Sequence, residues 1–232
     1  SAQPEPAPSE PDLTPQEPAV SEPEPEPAPE DTSVDAPEEP PQDASEELPQ
    51  AEPDTQDGEK TYAPASVTDD TKTLDLELYS EYALLIDLKS NTVIAQKNAD
   101  AKIYPASMTK VMTILTAAEH IENWDETFTM TQSIIDPLFL ADASMAGFVH
   151  DEEVSMMDLL YGAVLPSGAE ATQALAITVA GSEVAFAELM NEKAQALGLT
   201  DTHFVDASGL HDENHYTTLS DMAIILQAAL DN

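Results

Sequence analysis

Two short runs of apolar and β-branched residues stand out in the middle of the chain. They cover residues 82–88 and 92–96 and are separated by Lys89-Ser90-Asn91. Runs of this length and composition on either side of a polar tripeptide are typical of a β-hairpin. The first run is apolar enough to predict a strand that is buried on both faces.

Five other stretches carry apolar residues at intervals of three and four, which predicts amphipathic helices. These stretches are residues 106–122, 154–164, 170–180, 183–197 and 219–230. In the second of them the predicted apolar side consists of Met157, Leu160, Tyr161 and Val164. Residues 123–150 show no regular pattern. Because a two-stranded sheet is only marginally stable alone, either the fold is mainly helical or further strands lie beyond Asn232.

The composition changes sharply before the first strand. Residues 1–59 contain fifteen of the nineteen prolines and nineteen acidic residues, but no lysine, arginine or aromatic residue. Such a segment has almost nothing to bury, so we expect it to be disordered. We therefore predict an acidic, Pro/Glu-rich disordered segment and linker over residues 1–75 and a folded domain over residues 76–232. The segment should act as a solvated spacer, with a specific interaction tail as the alternative.

The charge balance excludes several classes of partner. The formal net charge is −39 and the chain has no arginine. Nucleic-acid binding needs a basic surface, so we expect this chain to bind no nucleic acid.

The absence of cysteine excludes disulfides and thiolate metal sites. No apolar run is long enough to span a bilayer and no signal peptide opens the chain, although the start at Ser1 would suit a mature protein whose signal has been removed.

One pair of residues suggests chemistry. Ser107 and Lys110 lie three residues apart just after Pro105, where a helix should begin, so one helical turn would place the hydroxyl and the amine on the same face. A serine beside a base is a potential nucleophile. The alternative is a helix-start serine followed by a lysine that faces solvent, because Ser-x-x-Lys by itself is a weak signal.

The residues around this pair strengthen the first interpretation. Ser107-Met108-Thr109-Lys110 follows the hairpin, and sixty residues later comes Leu165-Pro166-Ser167-Gly168. Further motifs follow in order: Met190-Asn191-Glu192-Lys193-Ala194, Leu197-Gly198-Leu199, Thr202-His203-Phe204, Gly209-Leu210-His211 and His215-Tyr216-Thr217-Thr218. In this order and spacing the chain from about Leu76 to Asn232 resembles the serine D-alanyl-D-alanine carboxypeptidases, the low-molecular-mass penicillin-binding proteins of peptidase family S11.

This resemblance implies a fold and a set of catalytic residues. The fold would be α+β, of the β-lactamase/transpeptidase-like serine hydrolases, with helices packed on an antiparallel sheet and the C-terminal strands missing from this chain. Ser107 would be the acylated nucleophile, Lys110 its general base and Ser167 a proton relay to the leaving amine. No cofactor or metal is implied.

The resemblance also implies a reaction, its partners and a location. The enzyme would remove the terminal D-alanine of peptidoglycan stem peptides that end in D-Ala-D-Ala, through an acyl-enzyme. β-Lactam antibiotics would be covalent inhibitors of that enzyme. It would act outside the cytoplasm, secreted or in the bacterial cell envelope. Membrane attachment would come only from a missing C-terminal segment.

Two departures from the family pattern stand against full activity. The second motif usually ends in asparagine, where this chain has Ala169, whose side chain makes no hydrogen bond. The third motif, Lys-Thr-Gly, is absent, and in the family it lies on a strand that would come after Asn232. Because that motif would supply the cation for the substrate carboxylate, we expect the 232-residue chain to be inactive by itself.

Several alternatives stay open at this point. A β-lactamase or a D,D-endopeptidase would share the fold and the motifs, and a non-catalytic cell-wall binding module would explain Ala169. A metal site is a further alternative, because His211 and His215 have a permitted ligand spacing and His203, Asp206 and Asp212 lie nearby.

Overall fold

The computed structural model describes residues 60–74 and 78–232. The predicted disorder of residues 1–59 and the predicted domain start at Leu76 lie outside these residues. Residues 60–74 were predicted to end a linker, and the structure differs there. Strand β1 (Lys72–Thr73) pairs in parallel with strand β3 (Thr92–Lys97), and Ser66 forms a bridge to Thr92. Backbone hydrogen bonds to the hairpin therefore hold this stretch, although its composition is polar.

The predicted hairpin is confirmed. Strand β2 (Ala83–Asp87) pairs antiparallel with β3, and the described strands of this sheet have the order β1-β3-β2. The sheet is mixed rather than purely antiparallel because β1 runs parallel to β3. The prediction that the first strand is buried on both faces is wrong: Leu85 is 54% exposed. Leu84 and Ile86 line the groove beside the last helix of the chain, and Leu85 lies on the opposite face of the strand, because successive side chains alternate between faces.

The remaining elements of the described chain are six helices and two short strands. After a 3₁₀ turn at Ala106–Met108 they are α1 (Thr109–His120), β4 (Thr127–Thr129), α2 (Gln132–Leu140), β5 (Glu153–Ser155), α3 (Met156–Val164), α4 (Ala169–Ala180), α5 (Glu183–Ala196) and α6 (Leu219–Asp231). Strands β4 and β5 form a separate antiparallel pair. All five predicted helices are present, so the periodicity of the apolar residues located them correctly.

Helix α2 was not predicted, because Pro137 lies inside it. A proline in a helix removes one backbone hydrogen bond and crowds the preceding turn, so its presence normally argues against a helix. Here Ile134 and Leu138 are one turn apart and both buried. Their packing against the core, which only the tertiary structure reveals, holds the helix despite the proline.

Helix α3 is present, but the face predicted to be buried is largely the exposed one. Tyr161 and Val164 are 55% and 50% exposed, and Met157 is also exposed. The buried side chains are those of Met156, Leu159 and Ala163. This helix is apolar on nearly its whole circumference, so periodicity could not identify which side meets the core.

Helix α4 lies at the centre of the core. It contacts α1, α2, α3 and α5, and its buried positions are mostly alanines, which allow other helices to approach closely. The largest fully buried side chains around it include Phe186, Met112, Leu115, Met190 and Ile225. Among the described residues no single helix is long and apolar enough for a membrane span; α4 and α5 reach that composition only as a pair bent by 82°.

Candidate active site

Ser107 occupies the 3₁₀ turn that leads into α1, and its side chain is exposed to solvent. The preceding residue, Ala106, has a φ of 49°, a value in the left-handed region that residues with a side chain rarely adopt. Pro105 fixes the backbone just before it, with a φ of −68°. The chain therefore makes a sharp, strained entry into α1 and presents Ser107 at the surface, at the start of a helix that is otherwise mostly buried.

Lys110 lies one helical turn after Ser107 and is only 5% exposed. Its Nζ is 3.3 Å from Ser107 Oγ and donates a hydrogen bond of 2.6 Å to the carbonyl oxygen of Ser208. Burial lowers the pKa of the Lys110 amine below its usual value, while the carboxylates of Asp206 and Glu170 act in the opposite direction. An amine with a lowered pKa is more often neutral, so it can accept a proton from the adjacent serine.

The Ser208 carbonyl belongs to a tight turn over residues 206–209. One carboxylate oxygen of Asp206, Oδ1, accepts hydrogen bonds from Ser208 N at 2.7 Å, Ser208 Oγ at 3.0 Å and Gly209 N at 2.6 Å. Gly209 has a φ of 85°, and an added Cβ would lie 1.8 Å from the carbonyl oxygen of Ala106. Only glycine allows the turn to approach the residue before the nucleophile this closely.

Side chains of two helices hold the segment that leads into this turn. On α1, Thr113 Oγ1 donates to the carbonyl oxygen of Ala207 at 2.7 Å. On α5, Asn191 pairs with both backbone groups of Phe204, at 2.8 Å each. The turn is thus fixed by the helical core rather than by its own sequence alone.

Ala169 lies on a second wall of the site, and Ser167, two residues before it, is not among the residues that line the cavity. Ser167 is half-buried with a φ of 63°, and no hydrogen bond joins it to Ser107 or Lys110 among the described residues. Other backbone lies so close to Gly168 that an added Cβ would be 2.8 Å from both Ala146 N and Gly162 O. The backbone N–H of Ala169 donates to the carbonyl oxygen of Ser144 at 2.8 Å.

These walls enclose a cavity of about 180 Å³. Its lining includes Ser107, Ala169, Asp142, Ser144 and Ser208. A larger groove of about 420 Å³ lies between β2 and α6, but its lining is almost entirely apolar, without a titratable side chain. Because only the smaller cavity contains a nucleophile with a base beside it, we take it as the candidate active site.

The histidines considered as metal ligands point to different partners. His203 Nδ1 lies 2.6 Å from the carbonyl oxygen of Asn214, and His211 packs edge-on against Tyr104, with ring centroids 4.7 Å apart. The third, His215, is buried and contacts Thr109 and Asp206. Within residues 60–74 and 78–232, no group of three or more His, Asp or Glu side chains is arranged to hold a metal ion.

The structure thus brings Ser107 and Lys110 into direct contact, whereas Ser167 neither lines the cavity nor contacts this pair through a hydrogen bond among the described residues. It adds residues that the sequence interpretation did not include in the site, namely Asp142, Ser144 and Ser208. Asp206 was considered only as a metal ligand. Its pattern, Asp206-Ala207-Ser208-Gly209, is typical of a turn built on an aspartate side chain, and this signal could have marked the turn.

The chain is similar to known proteins in both sequence and structure. The model of the Peptidase_S11 family, described as D-alanyl-D-alanine carboxypeptidase, matches residues 67–232. The D-alanyl-D-alanine carboxypeptidase DacF of Bacillus subtilis is 32% identical over 159 residues, which cover 68% of this chain and 41% of DacF. DacA of Escherichia coli is 35% identical over 161 residues, covering 66% of this chain and 40% of DacA. The chain therefore spans about two fifths of these relatives.

The chain is also similar to solved structures of related proteins. A mutant of the Streptomyces K15 DD-transpeptidase superposes with a TM-score of 0.65 at 28% sequence identity, covering 68% of this chain and 63% of that protein. Penicillin binding protein 5 from Haemophilus influenzae gives a TM-score of 0.62 at 31% identity, covering 67% and 46%. The chain is therefore similar in fold to both proteins.

Proposed function

Because the chain belongs to the S11 family of D-alanyl-D-alanine carboxypeptidases, we propose that it carries the nucleophile and base of a serine-type D-alanyl-D-alanine carboxypeptidase. The substrate is a peptidoglycan stem peptide that ends in D-Ala-D-Ala. The observation that carries the proposal is the 3.3 Å separation of Ser107 Oγ from the amine of the buried Lys110. Solvent can reach the serine hydroxyl, while the amine beside it is shielded.

The first half of the reaction acylates Ser107. The neutral amine of Lys110 takes the hydroxyl proton while Oγ bonds to the carbonyl carbon that joins the two D-alanines. When the tetrahedral intermediate collapses, the C–N bond breaks and the Lys110 ammonium returns its proton, through Ser167, to the leaving nitrogen. Free D-alanine departs and the shortened peptide remains as an ester on Ser107.

The second half hydrolyses that ester. A water molecule attacks the ester carbonyl while a neighbouring base takes its proton, and Ser107 Oγ leaves with a proton restored. One backbone N–H at the start of α1 stabilises the oxyanion in both halves. The site needs no metal or cofactor for these steps, since every proton moves between side chains and water.

Ala169 requires a different contact to the substrate amide from the asparagine that is usual in the family. Ser144 and Asp142 line the same cavity as Ser107, and both are polar. These two side chains take over the hydrogen bonds to the peptide, so the departure at residue 169 is compatible with catalysis.

The substrate and inhibitors set the cellular location. Peptidoglycan is outside the cytoplasmic membrane, so the enzyme acts in the bacterial cell envelope. β-Lactams acylate Ser107 and block the site. Residues 1–59 serve as an acidic spacer, and the catalytic domain follows them.

Labelling with a fluorescent penicillin tests the proposal. We expect the full gene product to be labelled covalently, Ser107→Ala to lose the label, and Ser133→Ala, which changes an exposed serine of α2, to keep it. Labelling that persists in Ser107→Ala would overturn the assignment. Subsequent release of D-alanine from a D-Ala-D-Ala peptide, with slow turnover of penicillin, separates a carboxypeptidase from a β-lactamase.

A further inference from the structure

A buried chain of a hydroxyl, an imidazole and a carboxylate lies behind the candidate site. Thr109 Oγ1 is 2.8 Å from His215 Nε2, and His215 Nδ1 is 3.4 Å from Asp206 Oδ2. Thr109 is completely buried and His215 is 2% exposed. The backbone N–H of Val205 is also 3.4 Å from Nδ1. A proton on Nδ1 is favoured nevertheless, because the carboxylate is the stronger acceptor, and Nε2 then accepts from the threonine hydroxyl.

The order of these groups is that of a nucleophilic triad, but the burial of Thr109 excludes that role. A hydroxyl without access to solvent or cavity cannot reach a substrate carbonyl. The hydrogen-bonded series of Thr109, His215 and Asp206 therefore acts on the structure around it. Its immediate neighbour is the turn over residues 206–209, which contacts Lys110.

Both oxygens of Asp206 are used, and each fixes a different part of the structure. Oδ2 faces His215 and through it the first turn of α1. Oδ1 accepts the hydrogen bonds that wind the turn over residues 206–209. This turn places the carbonyl oxygen of Ser208 2.6 Å from Lys110 Nζ.

Two separate series of contacts thus connect the proposed catalytic lysine to Asp206. Its helix is joined to Asp206 through Thr109 and His215, and its amine is joined to Asp206 through the turn. Moving the turn would release the amine from the Ser208 carbonyl and free it to rotate away from Ser107.

We propose that Asp206 and His215 are positioning residues that hold the Ser208 carbonyl against the amine of Lys110 and so keep that amine beside Ser107. The kinetic consequence rests on the proposed function above, whereas the effect on Lys110 itself can be measured without any catalysis.

Charge reinforces the geometry. Burial would raise the pKa of Asp206, but the hydrogen bonds from His215 and from the N–H groups of Gly209 and Ser208 outweigh it and lower that pKa, so the group is ionised at neutral pH. Besides Asp206, Glu170 on α4 acts on Lys110, and Glu183 on α5 faces the turn through Ala207 N. Loss of the Asp206 charge would therefore lower the pKa of Lys110 further, because a negative charge stabilises the ammonium form.

Nuclear magnetic resonance of the 232-residue chain tests this directly. The chain has seven lysines, so ¹³C-lysine labelling gives few side-chain signals, and Lys110→Gln identifies that of Lys110. In Asp206→Asn we expect the titration midpoint of Lys110 to fall by about one pH unit. Glu213→Gln removes an exposed charge from the same loop and should leave it unchanged. The fall in Asp206→Asn reports the lost charge alone, because this variant keeps an oxygen for the turn. Asp206→Ala loses the same charge and also the turn contacts, so its Lys110 midpoint should differ from that of Asp206→Asn. Equal midpoints in the two folded variants would overturn the proposal.

Acylation of the full gene product by fluorescent penicillin gives the second readout. Asp206→Asn keeps an oxygen that can accept the turn hydrogen bonds, so it should acylate nearly as fast as the parent above the Lys110 midpoint, with the acidic limb of its pH profile at lower pH. Asp206→Ala and His215→Ala lose the contacts and should acylate at least about tenfold more slowly. Parental rates in both would overturn the proposal.

The two readouts separate the two hypotheses. If the parent is not labelled by penicillin, the proposed function fails, and the comparison of the Lys110 midpoint between Asp206→Asn and Asp206→Ala still decides the positioning role. If Asp206→Ala does not fold, His215→Ala replaces it, because it removes the contact to Asp206 without removing the Asp206 charge. The Lys110 midpoint in His215→Ala should then differ from that of the parent, and an unchanged midpoint would overturn the proposal.

Discussion

The residue before the proposed nucleophile and the proposed proton relay both hold strained backbone conformations. Ala106 precedes the nucleophile with a φ of 49°, and Ser167 has a φ of 63°. A non-glycine residue in this region costs on the order of 1–3 kcal/mol, and such strain persists only where surrounding contacts enforce it. At Ala106 the enforcing contact is the turn at Gly209, whose backbone lies against the Ala106 carbonyl. The strain places the Ser107 side chain at the cavity rather than within the helix.

Gly209→Ala tests how much of this arrangement depends on one missing side chain. The new Cβ would meet the Ala106 carbonyl at 1.8 Å, and the backbone would keep a positive φ. We expect a loss of about 3 kcal/mol in the free energy of unfolding, measured by urea denaturation, together with slower acylation of Ser107.

Gly198→Ala is the matched control for that substitution. Its φ of 76° is similar, but an added Cβ would have nothing within 4 Å. Only the conformational cost remains, on the order of 1 kcal/mol. Equal losses in the two variants would show that the close approach to Ala106 has no energetic weight.

At the scale of elements, α1 is an unusual core helix, because much of its buried surface is polar. Thr109, Lys110 and Thr113 are all buried, and each forms a hydrogen bond to the segment between α5 and α6. Buried polar groups are costly unless they are paired, so these bonds fix the segment in one position. The helix therefore has two functions in the structure: it packs the core and it orients the turn of the site.

Helix α3 offers a direct check on which of its faces is buried. Leu159 is fully buried, whereas Met157, two residues earlier, is 38% exposed. Leu159→Ala should lower the free energy of unfolding by about 2–5 kcal/mol, because it leaves a cavity in the core. Met157→Ala should cost less than about 1 kcal/mol. A larger loss of unfolding free energy from Met157→Ala than from Leu159→Ala in denaturation experiments would favour the face predicted from periodicity.

At the scale of the whole molecule, the site combines one buried lysine with an acidic chain. Lys110 is the one buried lysine among the described residues, and no lysine lines the cavity around Ser107. The chain has 46 acidic residues and seven lysines. A substrate that ends in a free carboxylate thus meets no positive group in the described cavity.

This charge distribution supports the expectation that the 232-residue chain does not turn over substrate by itself. The chain contains no Lys-Thr-Gly, and a free carboxylate needs a cationic partner to be bound in a cavity. A coupled assay for D-alanine should therefore detect no release above background, with an active D-alanyl-D-alanine carboxypeptidase as the positive control. Robust release of D-alanine would contradict this expectation.

The sequence by itself predicted five of the helices, the hairpin and the proposed catalytic pair. Periodicity located α1 and α3 to α6, and the hairpin followed from two apolar runs around a polar turn, because the spacing of apolar residues reflects local geometry. Ser107 and Lys110 are separated by one helical turn, so their proximity also followed from local geometry. The motifs further along the chain, with Ser167 among them, indicated the family.

Only the tertiary structure decided what depends on contacts between distant residues. These are the buried face of α3, the exposure of Leu85, the survival of α2 around Pro137, and the turn at Asp206 that reaches Lys110. Each depends on packing or hydrogen bonds between segments up to 106 residues apart in the chain, as in the contact of Thr109 with His215. Such contacts leave no periodic signal in the sequence, because their energy depends on which elements the folded core brings together.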